Sequence, residues 1–227
     1  MKKRVFYREL TYVVAVVIMA FGAAFMERAD FGLSMVIAPA YLLHRAVVPL
    51  FEWFSFGVAE MVFQAMLLTL LCLILRGFRF SYLLSFATAV IYGFCLDGAM
   101  WVVRQIPYTL VTRLIMYVVG MVLTSAGVAF FCRTYLAPEV YELFVIKVSQ
   151  TCDKPFHRCK TVYDCASCLI SVVLSFLLFG WGHFVGVSWG TAVCALINGT
   201  LIGWFIKGYD RVWTFEDKFP KLRRMMP

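Results

Sequence analysis

Glu60 and Asp164 are the side chains best placed to do chemistry in this chain. Glu60 follows Phe54-Ser55-Phe56-Gly57-Val58, and Asp164 closes Lys160-Thr161-Val162-Tyr163-Asp164, each at the start of or within an apolar run. A charged group inside a membrane is costly, and by default it points to function. A buried carboxyl there can carry a proton or hold a cation. The plainer explanation is a first-turn position, where the helix dipole favours a carboxylate. Gln64 lies one helical turn beyond Glu60 and shares its face. Asp97, in Gly93-Phe94-Cys95-Leu96-Asp97-Gly98, is the acid hardest to explain as a cap. Asn198 offers a polar group in the last apolar run, more often used for an interhelical hydrogen bond.

Arg28 and Arg133 each follow a long apolar stretch and precede a short segment. Each can neutralise an acid such as Glu27, Asp30, Glu139 or Glu142, or bind an anionic solute through its two-pronged guanidinium. Anchoring at the membrane surface by snorkelling is the simpler role. Ser34 and Glu139 open the two short segments, where helix N-termini of broken helices can hold carboxylates.

Cys152, Cys159, Cys165 and Cys168 crowd around His157. Zinc sites need two short pairs, and here only Cys165 and Cys168 have that spacing. Thiols filling a helix face are expected, with no metal and no cofactor. The chain has no Walker loop, dinucleotide fingerprint, HExxH or GxSxG motif, so neither hydrolysis nor a nucleotide-driven pump is expected and the chain is not read as an enzyme.

What positions these residues is a duplication. Gly22-Ala23-Ala24-Phe25-Met26-Glu27-Arg28 returns as Gly127-Val128-Ala129-Phe130-Phe131-Cys132-Arg133, an offset of 105 residues. Ser85-Phe86-Ala87-Thr88-Ala89-Val90 returns as Ser188-Trp189-Gly190-Thr191-Ala192-Val193, an offset of 103. The same shift carries Glu60 to Asp164, Gln64 to Cys168, Arg28 to Arg133 and Ser34 to Glu139. Because Gly22–Arg28 has a partner deep in the chain, the first apolar helix belongs to the fold and is not a cleaved signal, despite the basic residues before it.

Apolar residues make up 63% of the chain and charged ones 15%, against about 45–50% and about 25% in soluble domains. The net charge of +8 is concentrated at helix ends and tails, which argues for a positive-inside bias rather than for nucleic acid. Both termini are expected in the cytoplasm, and the basic residues can also meet anionic headgroups. Long apolar segments lie at about 10–27, 57–75, 80–103, 108–132, 161–179 and 187–206, each near the roughly 20 residues that span a bilayer. Shorter segments lie at about 34–49 and 138–150. The expected fold is all-α: a single membrane domain over 1–227, with repeat one at 10–103, repeat two at 108–206 and a basic cytoplasmic tail at 207–227. Six full crossings, with two short or re-entrant helices and inverted halves, compete with eight crossings and parallel halves. Pro39 and the polarity of 138–150 favour six.

A Gly32-Leu33-Ser34 turn into a short helix, then Ser55-Phe56-Gly57, a long apolar helix and a small-residue final helix, resembles the YczE/YyaS/YitT-like group of bacterial integral membrane proteins. The resemblance covers about residues 10–206. Met35 stands where that group usually has a proline. It implies a small multi-pass protein of the bacterial cytoplasmic membrane and carries over no substrate or catalytic residue.

The leading expectation is a secondary transporter for a small solute, with its site between the repeats and proton coupling through Glu60 or Asp164. A non-transporting scaffold or accessory protein is the alternative, and a thiol redox or metal protein a third. The partners expected are the lipid bilayer, a small-molecule solute and a second copy of the chain in a homo-oligomer.

Overall fold

A computed structural model describes residues 4–78, 80–154, 156–181, 185 and 187–219. The order is β1 (Arg4–Tyr7), α1 (Arg8–Ala29), α2 (Ala38–Val47), α3 (Phe56–Ile74), α4 (Phe80–Val103), α5 (Leu110–Phe131), α6 (Val140–Cys152), α7 (Phe156–Phe179), α8 (Trp189–Val212) and β2 (Trp213–Glu216). All but α2 and α6 are long and apolar enough to cross a membrane, which makes six spanning helices among the described residues. Their outward side chains, among them Val13, Leu73, Phe94, Leu177 and Leu196, are apolar and exposed, as a hydrocarbon surround requires.

Local chemistry sets the ends of these helices. Asp30 in the left-handed region ends α1, and Gly32 at φ 107 turns the chain. Ser55 caps α3 by accepting from Val58 N at 3.1 Å, and Thr109 with Thr112 forms a capping box on α5. Pro39 sits in the first turn of α2, where its missing N–H has no cost.

Helices α1 and α5 form the central seam. It is built from small residues, which let backbones approach where no hydrophobic drive joins helices. A Cβ on Gly22 would lie 2.8 Å from Thr124 N and 2.9 Å from Gly120 O, and one on Gly127 would lie 3.1 Å from Ala15 O. Rising numbers on one helix meet falling numbers on the other, so the pair is antiparallel. Around this seam α4 packs on α1 and α8 on α5, while α3 packs on α4 and α7 on α8. The short helices cross over: α2 lies against both α3 and α7, and α6 against both α7 and α3.

Two polar junctions brace the seam. Tyr117 donates to Gly190 O at 2.6 Å while Gly190 N donates to Phe31 O at 3.0 Å. Tyr12 shares a 2.8 Å hydrogen bond with Thr88 Oγ1, which lies 2.9 Å from Ala137 O.

The sequence reading contains no strands. The structure pairs β1 with β2 in parallel, Val5 opposite Thr214, so the start of α1 and the end of α8 lie at one end of the bundle. Phe6 stacks there on Phe130 and Trp213 and meets Phe215 edge-on, and these aromatic side chains suit a pleated, half-buried surface. Helix α8 also continues past the apolar run to Val212.

Candidate functional site

The α6 N-terminus is the scaffold of the site. Pro138 precedes it and Glu139 is its N-cap, but the Glu139 side chain makes no capping bond. Gln64 of α3 does that work: its Oε1 accepts from Val140 N at 3.1 Å, and its Nε2 donates to Glu139 Oε2 at 3.2 Å. One turn back on α3, Glu60 accepts from the Tyr141 hydroxyl at 2.8 Å. Glu142, in the first turn of α6, faces α7, where Lys160 Nζ lies 3.9 Å from Glu142 Oε1 and 3.2 Å from Asp164 Oδ1. Lys160 also sits over the Tyr163 ring, 5.6 Å from its centroid.

Three helices therefore bring four carboxyls, one ammonium and one amide together out of water. Glu60 and Gln64 are fully buried, and Glu139, Glu142, Lys160 and Asp164 nearly so. Glu139 and Glu142 stand outside the six helices long and apolar enough to cross a membrane. Burial pushes the Glu139 carboxyl well above the usual carboxylate range, and Glu142 and Glu60 add to the rise. Burial raises Glu142 as well, against the pull of Lys160.

A cavity of about 30 Å³ opens beside this cluster. Its wall includes Met19 and Thr124, Ala23 and Val128, Ser34 and Glu139, Val36 and Tyr141, and Ile37 and Glu142; each pair is 105 residues apart. Tyr92, Lys160 and Asn198 complete it.

The structure gathers six of the residues singled out by sequence: Glu60, Gln64, Asp164, Glu139, Ser34 and Asn198. Neither Glu60 nor Asp164 is in a first turn. Helix α7 begins at Phe156, well before Asp164, and the α3 N-terminus is served by other groups. Asn198 accepts from Ser125 at 2.8 Å, so it ties α8 to α5 as well as lining the cavity.

Three expected residues lie elsewhere. Asp97 is a cap after all, but for a neighbouring helix: it accepts from Ser55 Oγ at 2.6 Å and Gly57 N at 2.9 Å at the start of α3. Arg28 lies 4.7 Å over the Tyr108 ring and reaches Ile106 O. Arg133 pairs with Asp210 rather than Glu139 or Glu142, and Asp30 pairs with Arg113. The cation of the site is Lys160, which sequence reasoning missed because it began that helix at about residue 161. Starting at Phe156, the helix puts Lys160 four residues before Asp164 on one face, a spacing that the sequence already displays. Glu142 was read only as an acid that an arginine could neutralise, since the expected duplication aligns it with apolar Ile37.

All eight cysteines are free thiols. Among the described residues no group of three His, Cys, Asp or Glu side chains could hold a metal ion. The His157 side chain lies outside the described residues.

No curated protein matches the chain, and no solved structure does. A family model does match, over residues 6–207, nearly the whole chain. The chain belongs to the family of unknown function DUF6198.

Proposed function

We propose that the protein is a secondary transporter for a small solute, with its site between two inverted halves and proton coupling through the buried carboxyls. The observation that carries this is the cavity wall, to which positions 105 residues apart contribute in pairs beside four buried carboxyls. Transporters built from inverted repeats place their sites at such an interface.

Two further features support the inverted reading. Contacts of Gly22 with Gly120 and Thr124 become, after the shift, those of Gly127 with Ala15 and Met19, and α1 and α5 are antiparallel. The Tyr12–Thr88–Ala137 junction answers Tyr117–Gly190–Phe31 loosely, with Tyr12 and Tyr117 at the shift itself and the other two positions each one residue away from it. We read the halves as 10–103 and 108–206, in a bacterial cytoplasmic membrane with both ends inside. The basic termini and the β1–β2 pairing favour that orientation. The Gly32-Leu33-Ser34 and Ser55-Phe56-Gly57 motifs support kinship with the YczE/YyaS/YitT-like group.

At about 30 Å³ the cavity is an order of magnitude below the roughly 300–1,000 Å³ of a typical ligand pocket. An organic solute therefore requires the halves to part, and this conformation is an occluded one. The small volume also favours the second reading, an accessory protein packed shut.

Reconstitution into proteoliposomes separates the two. Solute-driven proton movement across a metabolite panel is expected, and Glu60→Gln with Asp164→Asn is expected to abolish its pH dependence. Uptake that keeps its pH dependence in that double variant sinks proton coupling through this pair. If no solute moves protons or raises thermal stability, the accessory reading stands.

A further inference from the structure

Four carboxylates against one ammonium leave the α3–α6–α7 cluster at −3 when every group is ionised. Among the described residues, Lys160 is the cation within ion-pairing distance of it. Such an imbalance is expensive in a dry interior and is relieved either by protonation of the carboxyls or by bound positive charge, which compete for the same oxygens. Two oxygens state where. Glu139 Oε1 and Glu142 Oε2 have no hydrogen-bond partner among the described residues, both side chains are more than nine-tenths buried, and both line the cavity.

The cavity selects the size and kind of occupant. At about 30 Å³ it has room for one or two water-sized species and none for an ion with its full hydration shell. The wall is mostly apolar, and the acidic groups it offers, Glu139 and Glu142, are hard oxygens, which suit an alkali-type cation rather than a thiolate-seeking metal. A divalent ion needs more oxygen ligands, or keeps several waters, than this space allows, and it would meet the Lys160 charge.

We propose that the cavity binds one small monovalent cation between Glu139 and Glu142. The ion takes Glu142 Oε2, while Lys160, nearer to Asp164 than to Glu142, stays on Asp164. Lys160 is thus a tethered rival for the same negative charge. Its role as a coupling ion rests on the transporter reading; the binding itself does not.

The test uses the full chain, purified in nanodiscs, with sodium chloride as the probe and choline chloride holding ionic strength constant. Saturable retention of radioactive sodium and a sodium-dependent rise in melting temperature are expected. Glu139→Gln and Glu142→Gln each weaken sodium binding by roughly tenfold or more, Lys160→Met tightens it, and the exposed-loop control Glu52→Gln leaves it unchanged. Potassium and ammonium are parallel arms; a response to any of the three that is lost in Glu142→Gln supports the site. Equal stabilisation by choline, or wild-type affinity in both glutamine variants, overturns it. Where a variant does not fold, the wild-type protein decides: absence of saturable retention for all three ions overturns the proposal. Sodium binding without solute movement supports the site and counts against the transporter. Solute-coupled proton flux without any cation retention does the reverse.

Discussion

Lys160 reaches Asp164 at 3.2 Å from one turn away, inside a helix otherwise apolar enough to cross a membrane. The same ammonium lies 3.9 Å from Glu142 on the short helix α6. One flexible side chain therefore joins a helix long enough to cross a membrane to a much shorter one, and the charge state of the cluster acts on the packing of both.

Removing that ammonium is expected to destabilise the protein more than any neutral substitution nearby. Lys160→Met leaves Glu142 and Asp164 buried and uncompensated, and breaking a buried pair costs about 3–5 kcal/mol. Glu142→Gln and Asp164→Asn added to Lys160→Met should return most of the lost melting temperature. A triple variant no more stable than the single one would refute the pairing.

Stability is expected to fall as pH rises. Glu139 and Glu142 hold their protons in the folded state at pH values where the unfolded chain, with an ordinary value of 4.5, has lost them. Their contribution is present below that value and is lost as pH climbs from there through the raised folded values. Melting temperature against pH should slope downward over that window, and Glu139→Gln should flatten it.

Gly22→Val is expected to spread the α1–α5 seam. A Cβ there already meets Thr124 N and Gly120 O inside 3 Å, and backbone cannot give way as a side-chain tip can. Overpacking of this kind costs about 1–3 kcal/mol. The same substitution at Gly98, where a Cβ meets nothing within 4 Å, should cost far less in the same melting assay.

Asp97→Ala should behave as a lost cap, with about 0.5–2 kcal/mol of stability gone. Because its carboxylate serves the start of α3 and not the cavity, sodium retention and any pH-coupled flux should stay at wild-type levels. A change in ion affinity larger than the stability loss explains would return Asp97 to the site.

The helices were legible because hydrocarbon leaves little choice: a run of apolar residues must satisfy its backbone internally, and 80–103, for example, is both the run and the helix. The short segments stood out by length and proline, and they became α2 and α6. The site was half legible. Glu60, Gln64 and Asp164 were conspicuous as polar groups in apolar runs. Lys160 and Glu142 were not, because a charge near a helix end looks the same whether it faces water or folds inward. Asp97 was misjudged for a related reason: which helix end a carboxylate caps depends on a neighbour 40 residues away in sequence. The strands were missed because each is four residues long and gains its partner only when the bundle closes.

The β1–β2 pairing fastens the start of the first helix, α1, to the end of the last, α8. Glu9 strengthens the fastening by accepting from Tyr135 and from the backbone of Lys218 and Phe219, and Arg8 pairs with Asp217. A bundle clasped at one rim cannot gape equally at both. The clasped rim is expected to move least when the helices part, and the opposite rim most. Any large opening of the interior is therefore expected to be lopsided, widest at the end farthest from Trp213.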